Sequence, residues 1–335
     1  MRPVTRSLPR AFGRVTAVAI VLVLVACSPA GSQVPTQAAS PTGSASGSQV
    51  IAEVATFQMV AGRPGRLLVA LVSIDRRWLS FGSVTFSFAY LGDGSGSPPP
   101  SVPMEDATAA FLPIPGSPDG AGLVPTLTFP ADGHGVYKAD SVTFPQAGYW
   151  QVVASGELDD GTAFSADAAT EVLATPTVVS VGDVAPQSDN AVIGTAGVPN
   201  AAIDSRAASG EPIPDPELHA TSIAAAVDAG HPALVVFSTP VYCVSQFCGP
   251  VTDLVEQLAA DYGDRADFIH VEIYRDFQAT QINQTVLDWL QVPSGDFREP
   301  WTFLIGADGR IAASWDTVVT RGEIEPLLRA LPPKD

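Results

Sequence analysis

The hydrophobic pattern of this chain changes near residue 217, and that change constrains the fold more than any other feature. In the first half of the chain, apolar residues alternate with polar ones, as Val84, Phe86 and Phe88 do, which is typical of strands with one buried face. Further along, continuous apolar runs alternate with runs of helical period. We therefore predict a multidomain protein in which an antiparallel β-sandwich, residues 50–175, is followed by an α/β domain, residues 217–335.

The predicted sandwich consists of short apolar runs separated by clusters of glycine, proline and aspartate. Its stretch from Gly135 to Trp150 resembles the late hairpin of immunoglobulin-like bacterial extracytoplasmic modules. We expect a spacer or a protein-binding module, and we expect His134 to be a solvated turn residue rather than a metal ligand. The predicted strands are residues 66–74, 84–90, 109–114, 136–144, 149–155 and 168–173.

The second region has the element order β-α-β-α-β-β-α, which predicts helices covering a mixed sheet. Ser222 is predicted to cap a short helix, and Thr320 with Glu323 is predicted to form a capping box. Pro326 is predicted to move the start of the closing helix to about Glu325. The other predicted elements are strands 233–237, 268–274, 301–305 and 311–315, and helices 251–262 and 282–290.

Residues 176–216 connect the two regions. They are rich in proline, glycine, alanine and serine and show no sustained period. The sequence leaves two interpretations open, an interdomain linker or an extended lead-in lying on the following domain.

Two cysteines lie between the first buried strand of the α/β region and its helix. Tyr242-Cys243 follows Phe237, Cys248-Gly249-Pro250 opens the helix, and Pro300 precedes the strand at 301–305. This order resembles the thioredoxin fold, and the resemblance covers about 115 residues. It implies a thioredoxin-like domain in which Pro300 is a cis-proline facing the cysteines.

The sequence also departs from that family. The pair is spaced C-x4-C rather than C-x-x-C, and the family's buried acidic residue is absent near Val236. Fold position favours Cys243 as nucleophile and Cys248 as resolving cysteine, although Cys248 lies closer to the helix dipole. Glu299 would oppose thiolate formation if it faced the pair.

Three uses of the cysteine pair stay open. It can exchange disulfides with a protein substrate, it can be a static disulfide that staples the loop, or it can deliver copper. Copper-delivery members of the wider superfamily add a distant histidine, for which His219, His231 and His270 qualify by residue type only. We predict no cofactor and no metal site.

The N-terminus predicts export and lipid anchoring. Arginines and an apolar run of eleven residues, 15–25, are typical of a signal peptide, residues 1–26. Leu24-Val25-Ala26-Cys27 resembles the bacterial lipobox, which implies lipidation of Cys27. Residues 27–49 lack charge and are predicted to be a flexible tether, placing the protein on the outer face of the cytoplasmic membrane.

Two hypotheses of function follow. The first is a membrane-anchored, extracytoplasmic thiol–disulfide oxidoreductase acting on a protein substrate. The second is a non-enzymatic surface lipoprotein whose disulfide is structural and which binds a partner protein or copper. The formal charge of −18 and the lack of clustered lysine and arginine argue against nucleic acid as a partner.

Overall fold

The computed structural model describes residues 50–97, 99–290 and 298–334. The described residues belong to one compact unit, and their strands make sheets of ten, four and two strands. The predicted signal peptide, the predicted lipidation site Cys27 and the predicted tether lie outside the described residues.

The ten-stranded sheet occupies the first half of the described chain. Its strand order is β2-β10-β9-β5-β6-β8-β3-β4-β7, with β1 paired to β3. Neighbouring strands are antiparallel except β10 and β2, and the arrangement is consistent with the predicted β-sandwich. The strands are β1 Val50–Val54, β2 Met59–Val60, β3 Gly65–Ser73, β4 Trp78–Ser80, β5 Ser83–Gly92, β6 Ala107–Pro113, β7 Thr126–Thr128, β8 Gly135–Val142, β9 Gly148–Glu157 and β10 Ala163–Leu173.

The core of this sheet follows from the period-two pattern. Val84 and Phe86 of β5 are buried, whereas Thr85 between them is exposed. The largest side chains inside are Trp150 and Tyr137, and each has a polar atom that needs a partner. The indole N–H of Trp150 donates to the Gln146 carbonyl at 3.1 Å, and the Tyr137 hydroxyl donates to the Phe81 carbonyl at 2.7 Å.

The four-stranded sheet has the order β12-β11-β15-β16. β11 runs parallel to β12 and antiparallel to β15, and β15 and β16 form the predicted hairpin. The prediction of a mixed sheet with helices is confirmed at this level. The elements are α1 Ile223–Asp228, β11 Ala233–Ser238, α2 Cys248–Tyr262, β12 Asp267–Glu272, β13 Tyr274–Asp276, β14 Gln281–Ile282, α3 Gln284–Leu290, β15 Trp301–Ile305, β16 Ile311–Asp316 and α4 Arg321–Ala330.

Both faces of the four-stranded sheet are covered. Every residue of β11 is buried, which explains its continuous apolar run. Val235 and Phe237 pack with Trp289 of α3 on one face, whereas Leu234 and Val236 pack on the other with α2 and α4. The connecting segment 176–216 contributes Val178 and Ala185 to the first of these cores. It also contains short 3-10 helices at Asn200–Ala202, Ser205–Ala207 and Pro216–His219.

The predicted start of the closing helix is wrong. α4 begins at Arg321 and contains Pro326 in its interior. A proline there removes one helical hydrogen bond, but two other contributions compensate. Thr320 and Glu323 form the predicted capping box, with the Thr320 N–H donating to Glu323 Oε2 at 3.0 Å, and Leu328 buries its side chain completely.

The ten-stranded and four-stranded sheets are joined by polar contacts around the end of β16. The Arg66 guanidinium donates to the Val318 carbonyl at 2.6 Å, and the Phe57 N–H donates to Asp316 Oδ2 at 2.5 Å. Lys138 of β8 also forms an ion pair of 3.0 Å with Glu323. The sandwich is therefore packed on the same side of the α/β region as the turn that follows β16.

Candidate functional site

The cysteine pair lies in the connection between β11 and α2. Cys243 and Cys248 form a disulfide with a Cα–Cα distance of 6.1 Å, so the predicted disulfide is confirmed. The Cys243 N–H donates to the Thr239 carbonyl at 3.1 Å, which closes a turn before the first cysteine. Cys248 is the first residue of α2, in agreement with the expected helix start near Gly249-Pro250.

The two sulfur-bearing residues differ in exposure. Cys243 is partly exposed, and its Sγ lies 3.2 Å from Ser245 Oγ, whereas Cys248 is 0% exposed. Val244, between them, is 96% exposed. Cys243 is therefore open to contact with a partner molecule, whereas Cys248 is enclosed. Because Cys248 stands at a helix N-terminus, a thiolate there would face unpaired backbone N–H groups.

Pro300 directly precedes β15, and the Glu299–Pro300 peptide bond is cis. Trp301, the next residue, pairs with Phe237 at the end of β11 that leads into the cysteine loop. The Pro300 carbonyl accepts a 2.9 Å hydrogen bond from the Thr317 N–H, which ties it to the turn after β16. The proline is thus buried beside the strand ends where the cysteine loop begins.

Glu299 lies against the disulfide. A carboxylate oxygen of Glu299 and the sulfur atoms of Cys243 and Cys248 are all within 4.8 Å of one another. Burial, reinforced by the negative charge of Glu272, raises the pKa of Glu299 to about 8, although the Thr239 backbone amide favours the ionised form. Its Oε2 has no hydrogen-bond partner among the described residues.

The position of Glu299 changes the expected electrostatics of the pair. The sequence suggested that a glutamate facing the cysteines would oppose thiolate formation. With its pKa near 8, this carboxyl is protonated at neutral pH, so it adds a proton donor rather than a negative charge beside the sulfurs. Its adjacency to Pro300 was visible in the sequence, but its burial was not.

The C-terminal half of the cysteine loop is anchored in the sandwich. Phe247 is buried in a small apolar cluster. The cluster also includes Val318 and apolar side chains from the β3, β6 and β8 regions of the sandwich. We call this set the Phe247 cluster. Its other fully or nearly fully buried members are Leu68, Ala70, Leu112, Ile114 and Val136.

His134 contacts Phe247 next to the Phe247 cluster. The expectation of a solvated turn histidine is wrong, because His134 is buried. Its ring is buried between Trp78, at a centroid distance of 4.1 Å, and Phe247, at 5.7 Å. The turn itself was placed correctly, but the docking of Phe247 removes water from the ring. Burial lowers the pKa of His134.

An exposed apolar surface surrounds Cys243. Tyr242 and Phe277 stack with ring centroids 3.7 Å apart and an interplanar angle of 3°. Val241 is 53% exposed and Val244 is almost fully exposed. Apolar side chains are therefore exposed in the sequence immediately around Cys243.

A second group of titratable side chains, which the sequence analysis missed, lies behind the cysteine loop. Asp204, His219 and His270 are buried together, with Arg206 beside them. Residue type alone indicates His219 and His270 as possible ligands, and Asp204 lies in the segment predicted to be a linker or lead-in. No spacing rule connects three residues so far apart along the chain. His231 is elsewhere, with Nδ1 3.0 Å from Asp267.

No family model matches this chain, and no curated protein or solved structure is significantly similar to it. Within the described residues, no helix is both long and apolar enough to cross a membrane. The function is therefore argued from the geometry of the site.

Proposed function

We propose that this protein is an extracytoplasmic, membrane-anchored thiol–disulfide oxidoreductase whose α/β region is a thioredoxin-like domain. The single observation that carries the proposal is the unequal burial of one disulfide, with Cys243 reachable and Cys248 enclosed at a helix N-terminus. The position of Pro300 directly before β15 and a mixed sheet with helices on both faces support the thioredoxin-like assignment.

In the proposed exchange, Cys243 is the sulfur that forms the mixed disulfide. A substrate thiolate attacks Cys243 Sγ, the bond to Cys248 breaks, and Cys248 leaves as a thiolate that takes up a proton. A second substrate thiolate then attacks the substrate sulfur of the mixed disulfide and releases Cys243. The substrate gains a disulfide, and its two electrons remain on the cysteine pair. The reverse direction begins with attack by the Cys243 thiolate.

Two further residues support this chemistry in the proposal. Glu299 gives its proton to the departing Cys248 sulfur and recovers it when the disulfide forms again, in place of the acid that the family places near Val236. Pro300, buried beside the strand ends where the cysteine loop begins, shapes the surface over which a substrate chain would pass.

The alternative is a structural disulfide in a non-enzymatic lipoprotein. The observation in its favour is the anchoring of Phe247 in the sandwich, which holds the loop whether or not the sulfurs react. Copper delivery is a further form of this alternative, in which Cys243, Cys248 and Glu299 would supply the ligands after reduction.

A redox titration of the exported protein with an insulin-reduction assay distinguishes these functions. For the oxidoreductase we expect a reduction potential above about −300 mV and catalytic turnover. Cys248→Ser should accumulate a mixed disulfide through Cys243, whereas Cys243→Ser should not, because Cys248 is enclosed. A potential below about −300 mV without turnover would support the structural disulfide, and copper binding at one equivalent, lost with either cysteine, would support delivery.

We also propose that Cys27 carries the lipid that holds the protein on the outer face of the cytoplasmic membrane. The lipobox-like residues before Cys27 and the uncharged segment after it motivate this. Mass spectrometry of the N-terminal peptide should detect a lipid-modified cysteine, and Cys27→Ser should abolish the modification. An N-terminal peptide that begins elsewhere and carries an unmodified Cys27 would contradict the proposal.

A further inference from the structure

Three buried side chains with metal-binding atoms converge behind the cysteine loop. Asp204 caps the 3-10 helix Ser205–Ala207, His219 ends the 3-10 helix Pro216–His219, and His270 lies in β12. All three side chains are 0% exposed. None of them belongs to the cysteine site.

The distances between these atoms fit a small coordination site. His219 Nε2 lies 3.3 Å from Asp204 Oδ2, and His270 Nδ1 lies 3.5 Å from the same oxygen. Tetrahedral zinc with bonds of about 2.0–2.1 Å places neighbouring ligand atoms about 3.3–3.4 Å apart. The two measured distances are therefore close to the edge length of such a tetrahedron.

The hydrogen bonds of His270 point to the same conclusion. Its Nε2 lies 3.0 Å from the Ser238 carbonyl, an acceptor only, so Nε2 carries the proton. Its Nδ1 faces Asp204 Oδ2 at 3.5 Å, and this nitrogen has no hydrogen-bond partner among the described residues. A ring N–H donated to a backbone carbonyl is the usual support of a metal-bound histidine.

Charge also favours a dication at this position. Arg206 is paired with Asp204 and Asp215 at 2.7 Å each, and Glu272 accepts the Ser205 N–H at 2.8 Å. When ionised, these three acids exceed the arginine by two negative charges. Two protonated imidazoles would have their ring centroids only 5.2 Å apart in a buried place. One divalent ion supplies the two positive charges of such an imidazolium pair at a single point.

We propose that Asp204, His219 and His270 bind one divalent transition-metal ion of the zinc class. Arg206 holds the carboxylate in place through both oxygens. A small cavity lined in part by His270, Glu272 and Asn283 reaches the cluster at His270. The nitrogen and oxygen ligand set suits zinc better than copper(I), which prefers sulfur.

The site would stabilise the backbone that carries the cysteines. Next to Asp204, the Ser205 hydroxyl accepts the Val241 N–H at 3.2 Å and lies 3.4 Å from Thr239 Oγ1. Ser238, whose carbonyl contacts His270, is the last residue of β11. The ion is therefore structural in this proposal, and it fixes the start of the cysteine loop.

The test uses the full chain in detergent, stripped with a chelator and titrated with Zn²⁺ alone. We expect one equivalent per chain, and the same in Cys243→Ser/Cys248→Ser, because the proposed site contains no sulfur. His219→Gln and His270→Gln should each weaken binding by more than about 100-fold, since even outer-shell changes cost about 10–100-fold. His231→Gln, outside the cluster, is the matched control and should bind normally. Co²⁺ should give tetrahedral visible bands without thiolate charge transfer.

A second measurement decides the matter if a histidine variant does not fold. Zn²⁺ should raise the Tm of the double cysteine variant, increasingly with the concentration of free ion. Absence of both stoichiometric binding and a Tm shift in that variant overturns the proposal. Binding that is lost with the cysteines but kept in the histidine variants also overturns it, because the ion then belongs to the disulfide site.

Discussion

At the scale of single residues, Glu299 gives the sharpest pH dependence. Its pKa is raised to about 8 in the folded protein by burial and by Glu272, against about 4.3 in an unfolded chain. The folded state therefore holds one more proton between these values, and stability falls as pH rises through this window, by at most about 1.4 kcal/mol per pH unit. Glu299→Gln, which cannot ionise, should remove this loss, as urea unfolding from pH 5 to pH 9 would show.

The matched control for this experiment is Glu105→Gln, an exposed glutamate of the sandwich region. Its curve of unfolding free energy against pH should run parallel to that of the unaltered protein. The gain from Glu299→Gln should be larger at pH 9 than at pH 5. A gain that is the same at both pH values would contradict the raised pKa.

Residue-scale prediction from the sequence succeeded where neighbours in the chain are neighbours in space. Cys243 and Cys248 share one loop, so their disulfide was foreseeable from spacing alone. Asp204 and His270 are brought together only by the packing of an irregular segment against β12. Their chemistry becomes visible only when the fold itself is known.

At the scale of elements, the N-cap of α1 can be tested directly. Ser222 Oγ accepts the Ala225 N–H at 3.2 Å, and α1 has only six residues. Ser222→Ala should lower the free energy of unfolding by about 1 kcal/mol, within the usual range for N-caps. Ser165→Ala, on an exposed strand position, is the matched control and should stay within about 0.5 kcal/mol. Equal effects of both substitutions in chemical denaturation would contradict the capping role.

Elements whose signals are local were predicted well. Ser222 and the Thr320–Glu323 capping box were read from residue types a few positions apart. β4 and β7 were missed because three residues are too few to show an alternating pattern. Pro326 misled the prediction of α4, since the burial that compensates for it is a property of the packed molecule.

At the scale of the whole molecule, Phe247 connects the sandwich to the cysteine loop. Phe247→Ala should destabilise the protein by about 3–5 kcal/mol, as expected for truncation of a buried phenylalanine. It should also release the loop, so dithiothreitol should reduce the Cys243–Cys248 disulfide faster under native conditions. Phe247→Leu keeps most of the apolar volume and should show a smaller change in both measurements.

Val318→Ala separates the two consequences, because Val318 lies in the same apolar cluster but outside the cysteine loop. We expect it to lower the free energy of unfolding without accelerating reduction in native buffer. If both alanine variants accelerate reduction in proportion to their loss of stability, the disulfide is reached by global unfolding. If only Phe247→Ala accelerates reduction, the sandwich controls the loop locally. Phe247 directly precedes Cys248, so its contact with the sandwich fixes the position of the enclosed cysteine. That outcome would make the sandwich a determinant of the cysteine pair's reactivity rather than a passive spacer.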